Sequence, residues 1–264
     1  MLENSVFLRA CRKEPTEYTP IWLMRQAGRY LKEYRNIRKK FDFLTMCKIP
    51  DLAAEITLQP VEKLGVDAAI IFSDILLPLE KMGIRLEYSQ GDGPKIHNPV
   101  RTEKEIESLR IIEPEEDLPF VLEAIKKVSK ELNGKLPLIG FAGGPFTMAS
   151  YIIEGGHTRN FIKTKKLMYH NPDYWHLLME KLAEVTTRYL NAQIQSGAQA
   201  IQLFDSWVGC LSPQDYTEFV LPYSRSVFKG LKENVPAIHF GTVSSTLLEL
   251  MQNAGGNVIG VDWR

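Results

Sequence analysis

The stretch A-A-I-I-F-S-D, residues 68–74, joins a short apolar run to a serine and an aspartate. A continuous apolar run of this length is typical of a strand buried on both faces, as in a parallel sheet. Similar runs occupy residues 21–24, 136–141, 200–204, 236–240 and 258–261. Five of the six runs contain or are followed by a polar side chain near their end: Arg25, Asp74, Ser206, His239 and Asp262. We therefore predict six buried strands, most of them with polar groups at their carboxyl ends.

Helix signals lie between these runs. Pro50 and Asp51 predict a helix that ends at Gly65, and Pro60 inside it predicts a kink or a break. Asn171-Pro172 predicts the start of a long helix that ends near Gly197. Further helices are predicted over 35–43, 117–133, 146–154 and 160–169 and after residues 212 and 244, and the turn signal Q-G-D-G-P predicts a hairpin within 84–100. Strands that alternate with capped helices predict parallel βαβ units.

Polar residues at the carboxyl ends of many strands are typical of the active face of a (β/α)8 barrel. No glycine-rich nucleotide-binding pattern follows the first run, which weakens an open doubly wound sheet. We therefore predict an α/β fold of the TIM-barrel type, with residues 1–264 as one domain. A closed barrel needs eight strands, so we expect this barrel to lack its last two βα units. An unclosed barrel would expose two strand edges, which is a hazard for pairing and aggregation.

Composition narrows the class of protein. Hydrophobic residues make up 44% of the 264 residues and charged residues 24%, as in soluble globular proteins. The formal net charge is zero, which favours neither nucleic acid nor a membrane surface as partner. Cys11, Cys47 and Cys210 are widely separated, which favours reduced thiols over disulfides or a zinc ribbon. Without a signal-peptide pattern or a membrane span, we expect a cytoplasmic protein.

The stretch P-I-W-L-M-R-Q-A-G-R-Y-L, residues 20–31, carries two arginines directly after an apolar run. A guanidinium at the end of a buried strand must meet water, a carboxylate or a ligand. The planar fork of arginine suits carboxylates, and Gly28 would allow a ligand to approach the backbone. The alternative is a surface helix with ion pairs such as Arg29–Glu33. The stretch alone leaves these two interpretations open.

Six motifs together resemble one family: residues 20–31, L-Q-P-V-E (58–62), A-A-I-I-F-S-D-I-L (68–76), G-F-A-G-G-P-F-T (140–147), Y-I-I-E-G-G (151–156) and Q-L-F-D-S-W-V-G (202–209). From about residue 16 onward the chain resembles uroporphyrinogen decarboxylase. The resemblance implies a single-domain barrel, generally a homodimer, that needs no metal or organic cofactor. It also implies the reaction: loss of carbon dioxide from the four acetate side chains of uroporphyrinogen, which gives coproporphyrinogen in haem and chlorophyll synthesis.

The resemblance also implies roles for residues. It makes Asp74, Arg25 and Arg29 the predicted catalytic residues, with Asp74 as the acid that meets the pyrrole N–H groups. The predicted substrate-binding residues are Arg25, Gln26, Ala27, Gly28, Arg29, Phe43, Asp74, Tyr151 and Ser206. Lys32 stands where the family commonly has proline, and the family's histidine in an N-L-G-H-G motif is missing, which matches the expected loss of two βα units. Whether the chain is active without that segment stays open at this point.

Other interpretations remain. Asp74 could cap a helix, and His239 in its apolar strand is expected to be a core histidine. A zinc-dependent corrinoid methyltransferase of the same superfamily would need a cluster of His and Cys ligands, and H-F-G at 239–241 has no cysteine near it. A truncated, non-catalytic chain that still binds a tetrapyrrole is the other alternative. We expect no metal site.

Overall fold

The computed structural model describes residues 4–89, 93–156, 158–232 and 235–263. Its strands are β1 (Ala69–Ile70), β2 (Leu86–Ser89), β3 (Gly93–Ile96), β4 (Leu138–Gly143), β5 (Ala200–Asp205), β6 (Ala237–Gly241) and β7 (Val258–Gly260). Its helices are α1 (Val6–Cys11), α2 (Lys32–Arg38), α3 (Phe43–Lys48), α4 (Pro50–Leu64), α5 (Leu77–Lys81), α6 (Glu103–Glu107), α7 (Pro114–Asp117), α8 (Pro119–Leu132), α9 (Pro145–Glu154), α10 (Ile162–His170), α11 (Pro172–Gln195), α12 (Pro213–Phe219), α13 (Leu221–Lys229) and α14 (Leu248–Ala254). Short 3₁₀ helices cover Val208–Cys210 and Ser245–Leu247.

Five parallel strands form the central sheet in the order β1-β4-β5-β6-β7. The order in space repeats the order in the chain and shows no reversal. A doubly wound sheet would have such a reversal, at the point where its ligand binds, whereas barrel strands follow one another around the axis. The predicted α/β fold of the TIM-barrel type is confirmed. The expected lack of two βα units stays a prediction.

The strand predicted at 21–24 is wrong. This segment is irregular and meets the sheet edge mainly through Asp67, whose N–H donates to the carbonyl of Ile21 over 2.7 Å. The carboxylate of Asp67 accepts the N–H of Ile21, again over 2.7 Å, so a side chain takes the place of a strand. Ile21 and Leu23 are 62% and 47% exposed. The apolar run therefore does not lie in the core, although it does run beside β1.

Most helix predictions are confirmed within a few residues. Of the kink or break predicted at Pro60, the break is wrong, because α4 continues through this residue as one helix; the kink stays a prediction. Pro60 is buried against the core, and this packing offsets the backbone hydrogen bond that proline cannot donate. The predicted hairpin is confirmed as the antiparallel pair β2–β3, whereas its turn at residues 90–92 lies outside the described residues.

The long helix α11 is fastened to the centre of the sheet. The side-chain amide of the buried Gln193 accepts the N–H of Phe141 over 2.9 Å and donates to the carbonyl of the same residue over 2.8 Å. A Cβ at Gly140 would lie 2.6 Å from that amide oxygen, so the strand needs glycine here. This contact fixes β4, from whose carboxyl end α9 begins. None of the described helices is both long and apolar enough to cross a membrane.

Candidate functional site

Asp74 lies just beyond the carboxyl end of β1, partly exposed to solvent. Its Oδ1 accepts two hydrogen bonds, from the N–H of Leu76 over 2.8 Å and from the hydroxyl of Tyr88 over 2.5 Å. The first is a local turn of the kind that aspartate often makes. Asp74 is not the N-cap of α5, since Leu76 holds that position. One oxygen of the carboxylate is therefore occupied, and Oδ2 has no hydrogen bond from the described part of the chain.

The surroundings of Asp74 act on its pKa in opposite directions. Burial raises the pKa of this carboxyl group, and the hydrogen bonds from Tyr88 and Leu76 lower it, with burial the larger effect. The pKa of Asp74 is thus higher than that of an ordinary aspartate. A carboxylate in such partly dry surroundings interacts strongly with any cation placed beside it.

Aromatic rings form one wall next to Asp74. Phe43, the first residue of α3, packs against Tyr88 with ring centroids 5.0 Å apart and against Phe72 at 5.9 Å. Tyr34 completes the row, 5.9 Å from Phe72. We call these four rings, Tyr34, Phe43, Phe72 and Tyr88, the aromatic row. The structure thus brings the predicted residue Phe43 close to Asp74 through Tyr88.

Tyr151 lies on α9, and its ring packs on Trp207 with centroids 3.9 Å apart. Burial raises the pKa of Tyr151 to about 12; the charge of Asp74 raises it too, and that of Arg25 lowers it. Ser206 directly follows β5 and precedes Trp207, and its carbonyl accepts the hydroxyl of Thr242.

The segment with the two arginines forms a turn beside β1. Arg25 and Arg29 are both exposed, and within the described residues neither guanidinium has a hydrogen bond or an ion pair. The charge of Arg29 lowers the pKa of Tyr34. Burial raises this pKa by more, so it is higher than that of an ordinary tyrosine. The alternative of a surface helix with an Arg29–Glu33 pair is wrong, because Glu33 pairs with Lys63 at 2.9 Å. Both cations are thus available to a ligand.

Gln26 is completely buried and holds this turn in place. Its side-chain amide accepts the N–H of Leu23 and donates to the carbonyl of Ala68, both over 3.2 Å. Ala27 and Gly28 are partly buried beside it. A Cβ at Gly28 would meet no protein atom closer than 3.7 Å, so the protein itself leaves room there. Substrate contact at positions 26–28 stays a prediction.

We expect Gln26→Leu to destabilise the protein by about 1–3 kcal/mol, because it leaves the buried carbonyl of Ala68 without this partner and removes the hydrogen bond to the half-buried N–H of Leu23. The Michaelis constant for substrate should rise as well, since the turn that carries both arginines loosens. Urea-induced unfolding measures the first effect and steady-state kinetics the second. Gln252→Leu, on the exposed face of α14, is the matched control and should change neither. A Gln26→Leu protein as stable as the control would contradict this assignment.

Other polar residues near the strand ends do not join this site. His239 is fully buried, with Nδ1 3.2 Å from the carbonyl of Met251 and Nε2 3.6 Å from Asp205. The prediction of a core histidine is confirmed. Asp262 accepts the N–H of Val243 over 2.8 Å. Across the described ranges, no three His, Cys, Asp or Glu side chains are grouped as metal ligands.

Two residues of the site, Tyr88 and Trp207, were not predicted. Trp207 stands inside a quoted motif and contacts both Tyr151 and Phe161, with the second pair of ring centroids 5.1 Å apart. Tyr88 lies on the hairpin, which the sequence presents as an excursion from the core. A strand pattern shows which residues share a face but not which distant side chain that face meets. The contact between Tyr88 and Asp74 therefore had no signal in the sequence.

Comparisons of sequence with known proteins agree on one family, and comparison with solved structures shows the same fold. The sequence model described as "Uroporphyrinogen decarboxylase (URO-D)" matches residues 2–264. A uroporphyrinogen decarboxylase of Carboxydothermus hydrogenoformans is 62% identical over 99% of this chain and 75% of its own length. One of Sorangium cellulosum is 58% identical over 98% and 74%. Among solved structures, a methyltransferase from Methanosarcina mazei shares the fold, with a TM-score of 0.80, 20% identity, and coverage of 98% of this chain and 75% of its own.

Proposed function

Because this chain belongs to the uroporphyrinogen decarboxylase family, we propose that it removes carbon dioxide from the acetate side chains of uroporphyrinogen to give coproporphyrinogen. The proposed reaction uses neither a metal nor an organic cofactor. The proposal follows the family and is supported by the chemistry of Asp74 and its neighbours.

The reaction needs a place for the electrons that carbon dioxide leaves behind. Protonation of a pyrrole carbon makes a cationic ring that accepts them, so the substrate supplies its own electron sink. An anionic side chain stabilises this cation best where water is excluded. Oδ2 of Asp74 suits this role, because it has no hydrogen bond from the described residues and lies in surroundings dry enough to raise the pKa of the carboxyl group. This single feature carries the proposal.

The substrate also carries several carboxylates, which need cationic partners. Arg25 and Arg29 are exposed on the turn beside β1, where they can bind such groups in the paired manner of a guanidinium. We assign them to binding and orientation rather than to proton donation, since arginine keeps its proton in proteins. Tyr151 and Ser206 are proposed as further contacts, and Phe43 as part of the wall of the site.

Anaerobic turnover of uroporphyrinogen tests this function. We expect porphyrins with seven, six, five and then four carboxylates to appear in succession after oxidation of the products. Binding of the tetrapyrrole without loss of carbon dioxide would contradict the proposal and favour the non-catalytic alternative. Stoichiometric zinc in the purified protein, together with methyl transfer from a corrinoid, would favour the alternative of a zinc-dependent methyltransferase.

We propose a homodimer in the cytoplasm. The family resemblance supports the dimer, and the three unpaired cysteines, Cys11, Cys47 and Cys210, suit a reducing compartment. Light scattering of the eluted protein tests the assembly, and a mass near twice 30.1 kDa is the expected result. A mass of one chain at micromolar concentration would contradict it.

A further inference from the structure

We infer that Tyr88 is a positioning residue for Asp74: its hydroxyl holds one carboxylate oxygen so that the other oxygen is presented to the pyrrole N–H groups of the substrate. This inference rests on the proposed function and adds a residue to its machinery. Tyr88 lies on the hairpin rather than on the barrel strands, and the resemblance to the family assigns it no role.

The geometry at the carboxylate is specific. The hydroxyl of Tyr88 and the N–H of Leu76 both donate to Oδ1 of Asp74, over 2.5 and 2.8 Å. Two donors from different directions on one oxygen restrict rotation of the carboxylate about its side-chain bond. Since Oδ2 receives no hydrogen bond within the described residues, the oxygen left for a ligand is determined by these two donors.

The hairpin itself is held in place, so the hydroxyl of Tyr88 is not a mobile group. Tyr88 lies opposite Pro94 in the register of β2 with β3, and its ring packs on Phe43 in the aromatic row. β3 and the segment that follows it are hydrogen-bonded to the end of α9. The N–H of Ile96 donates to the carbonyl of Gly155 over 2.9 Å, and the N–H of Val100 donates to the carbonyl of Ile152 over 3.2 Å. Tyr88 and Tyr151 are thereby fixed relative to each other.

Tyr88 remains a hydrogen-bond donor at any working pH. Burial and the charge of Asp74 raise the pKa of Tyr88 far above that of an ordinary tyrosine, so it stays protonated. The other titratable groups that face Asp74 are Cys47 on α3, Tyr151 on α9 and Tyr189 on α11. Burial raises the pKa of each of the three, so they are neutral as well. The nearby cation Arg25 acts on Tyr151. Among these groups, Tyr88 is the side chain that donates a hydrogen bond to the carboxylate of Asp74.

The sign of the effect on pH dependence follows from this bond. A hydrogen bond to the charged form of a carboxyl group lowers its pKa. Tyr88→Phe removes that bond, so the pKa of Asp74 should rise further. If ionised Asp74 is the active form, activity is lost as the pH falls through its pKa, and the acid limb of the pH–rate profile should move to higher pH in the variant.

The experiment compares Tyr88→Phe with Tyr169→Phe. Tyr169 is exposed on α10, and its ring packs on Phe219, outside the site described above. We measure kcat and kcat/KM against pH for the wild type and both variants, and we follow the side-chain carboxyl of Asp74 by ¹³C NMR, assigned with Asp74→Asn. Tyr88→Phe should lower kcat/KM about 10-fold to 100-fold at neutral pH, with a smaller loss at high pH. Tyr169→Phe should match the wild type.

The outcomes are distinct. An acid limb and a ¹³C titration of Asp74 that both move to higher pH only in Tyr88→Phe support the inference. Unchanged profiles in a folded Tyr88→Phe protein, or equal shifts in Tyr169→Phe, overturn it while the proposed function stands. A wild type without turnover overturns the proposed function instead, and the ¹³C titration still reports whether Tyr88 acts on Asp74.

Discussion

Asp74→Asn should reduce turnover about 10³-fold while the protein remains folded. Asparagine has the same shape, and its side-chain oxygen can still accept the hydrogen bonds from Leu76 and Tyr88. The variant loses only the negative charge that would stabilise a cationic pyrrole ring. Because the geometry is kept, loss of activity would report on charge alone. Retention of more than a tenth of wild-type turnover would contradict the role of Asp74.

The same variant also tests how ionisation of Asp74 changes the stability of the folded protein. Burial raises the pKa of Asp74 in the folded protein, so folding favours its protonated form, and ionisation costs folding free energy. As the pH rises through this raised pKa, the wild type should lose stability relative to Asp74→Asn, and the difference should shrink again at lower pH. Thermal unfolding at a series of pH values measures this. Asp173→Asn, exposed in the first turn of α11, is the matched control and should show neither effect.

Replacement of both Arg25 and Arg29 by alanine should lower kcat/KM about 10³-fold, mostly through the Michaelis constant. Each guanidinium that binds a substrate carboxylate contributes roughly 1.5–3 kcal/mol, and the two should act on different carboxylates. Stability should not change, because neither guanidinium bonds to the described protein. The substrate is strongly anionic, so added salt should weaken the wild type more than the double variant.

Two further variants separate charge from shape. Arg25→Lys with Arg29→Lys keeps both charges but loses the planar fork, and we expect an intermediate loss. Lys126→Ala with Lys130→Ala removes two exposed cations from α8, remote in sequence from the turn, and serves as the matched control. A double alanine variant within tenfold of the wild type in kcat/KM would remove the arginines from the binding site.

The strands at the centre of the fold could be predicted from the sequence because their environment is simple. β4, β5 and β6 are buried on both faces, so continuous apolar runs mark them within two residues. The run at 21–24 is equally apolar, yet strand formation depends on a partner backbone, and Asp67 meets Ile21 with one backbone and one side-chain hydrogen bond instead of a strand ladder. Hydrophobicity predicts where a segment can be buried, whereas hydrogen-bond partners decide what it forms.

The candidate site was predictable to a similar extent. Residues at strand ends, such as Asp74 and Ser206, are signalled by a change from apolar to polar side chains. The arginines are signalled by two cations where an apolar run stops. Contacts that join elements distant in the chain are different, because no local pattern specifies them. Gln26 reaching Ala68 and Tyr88 reaching Asp74 both belong to this second kind.

The length of the hairpin β2–β3 determines which side of the strand Tyr88 points to. Alternate residues of a strand point to opposite sides, so removal of one residue between Leu86 and Tyr88 would turn the phenol away from the acid. Such a deletion would imitate Tyr88→Phe without touching any residue of the barrel. In a chain with the hairpin shortened in this way, we expect the acid limb of the pH–rate profile to move to higher pH, although every residue of the barrel strands is unchanged.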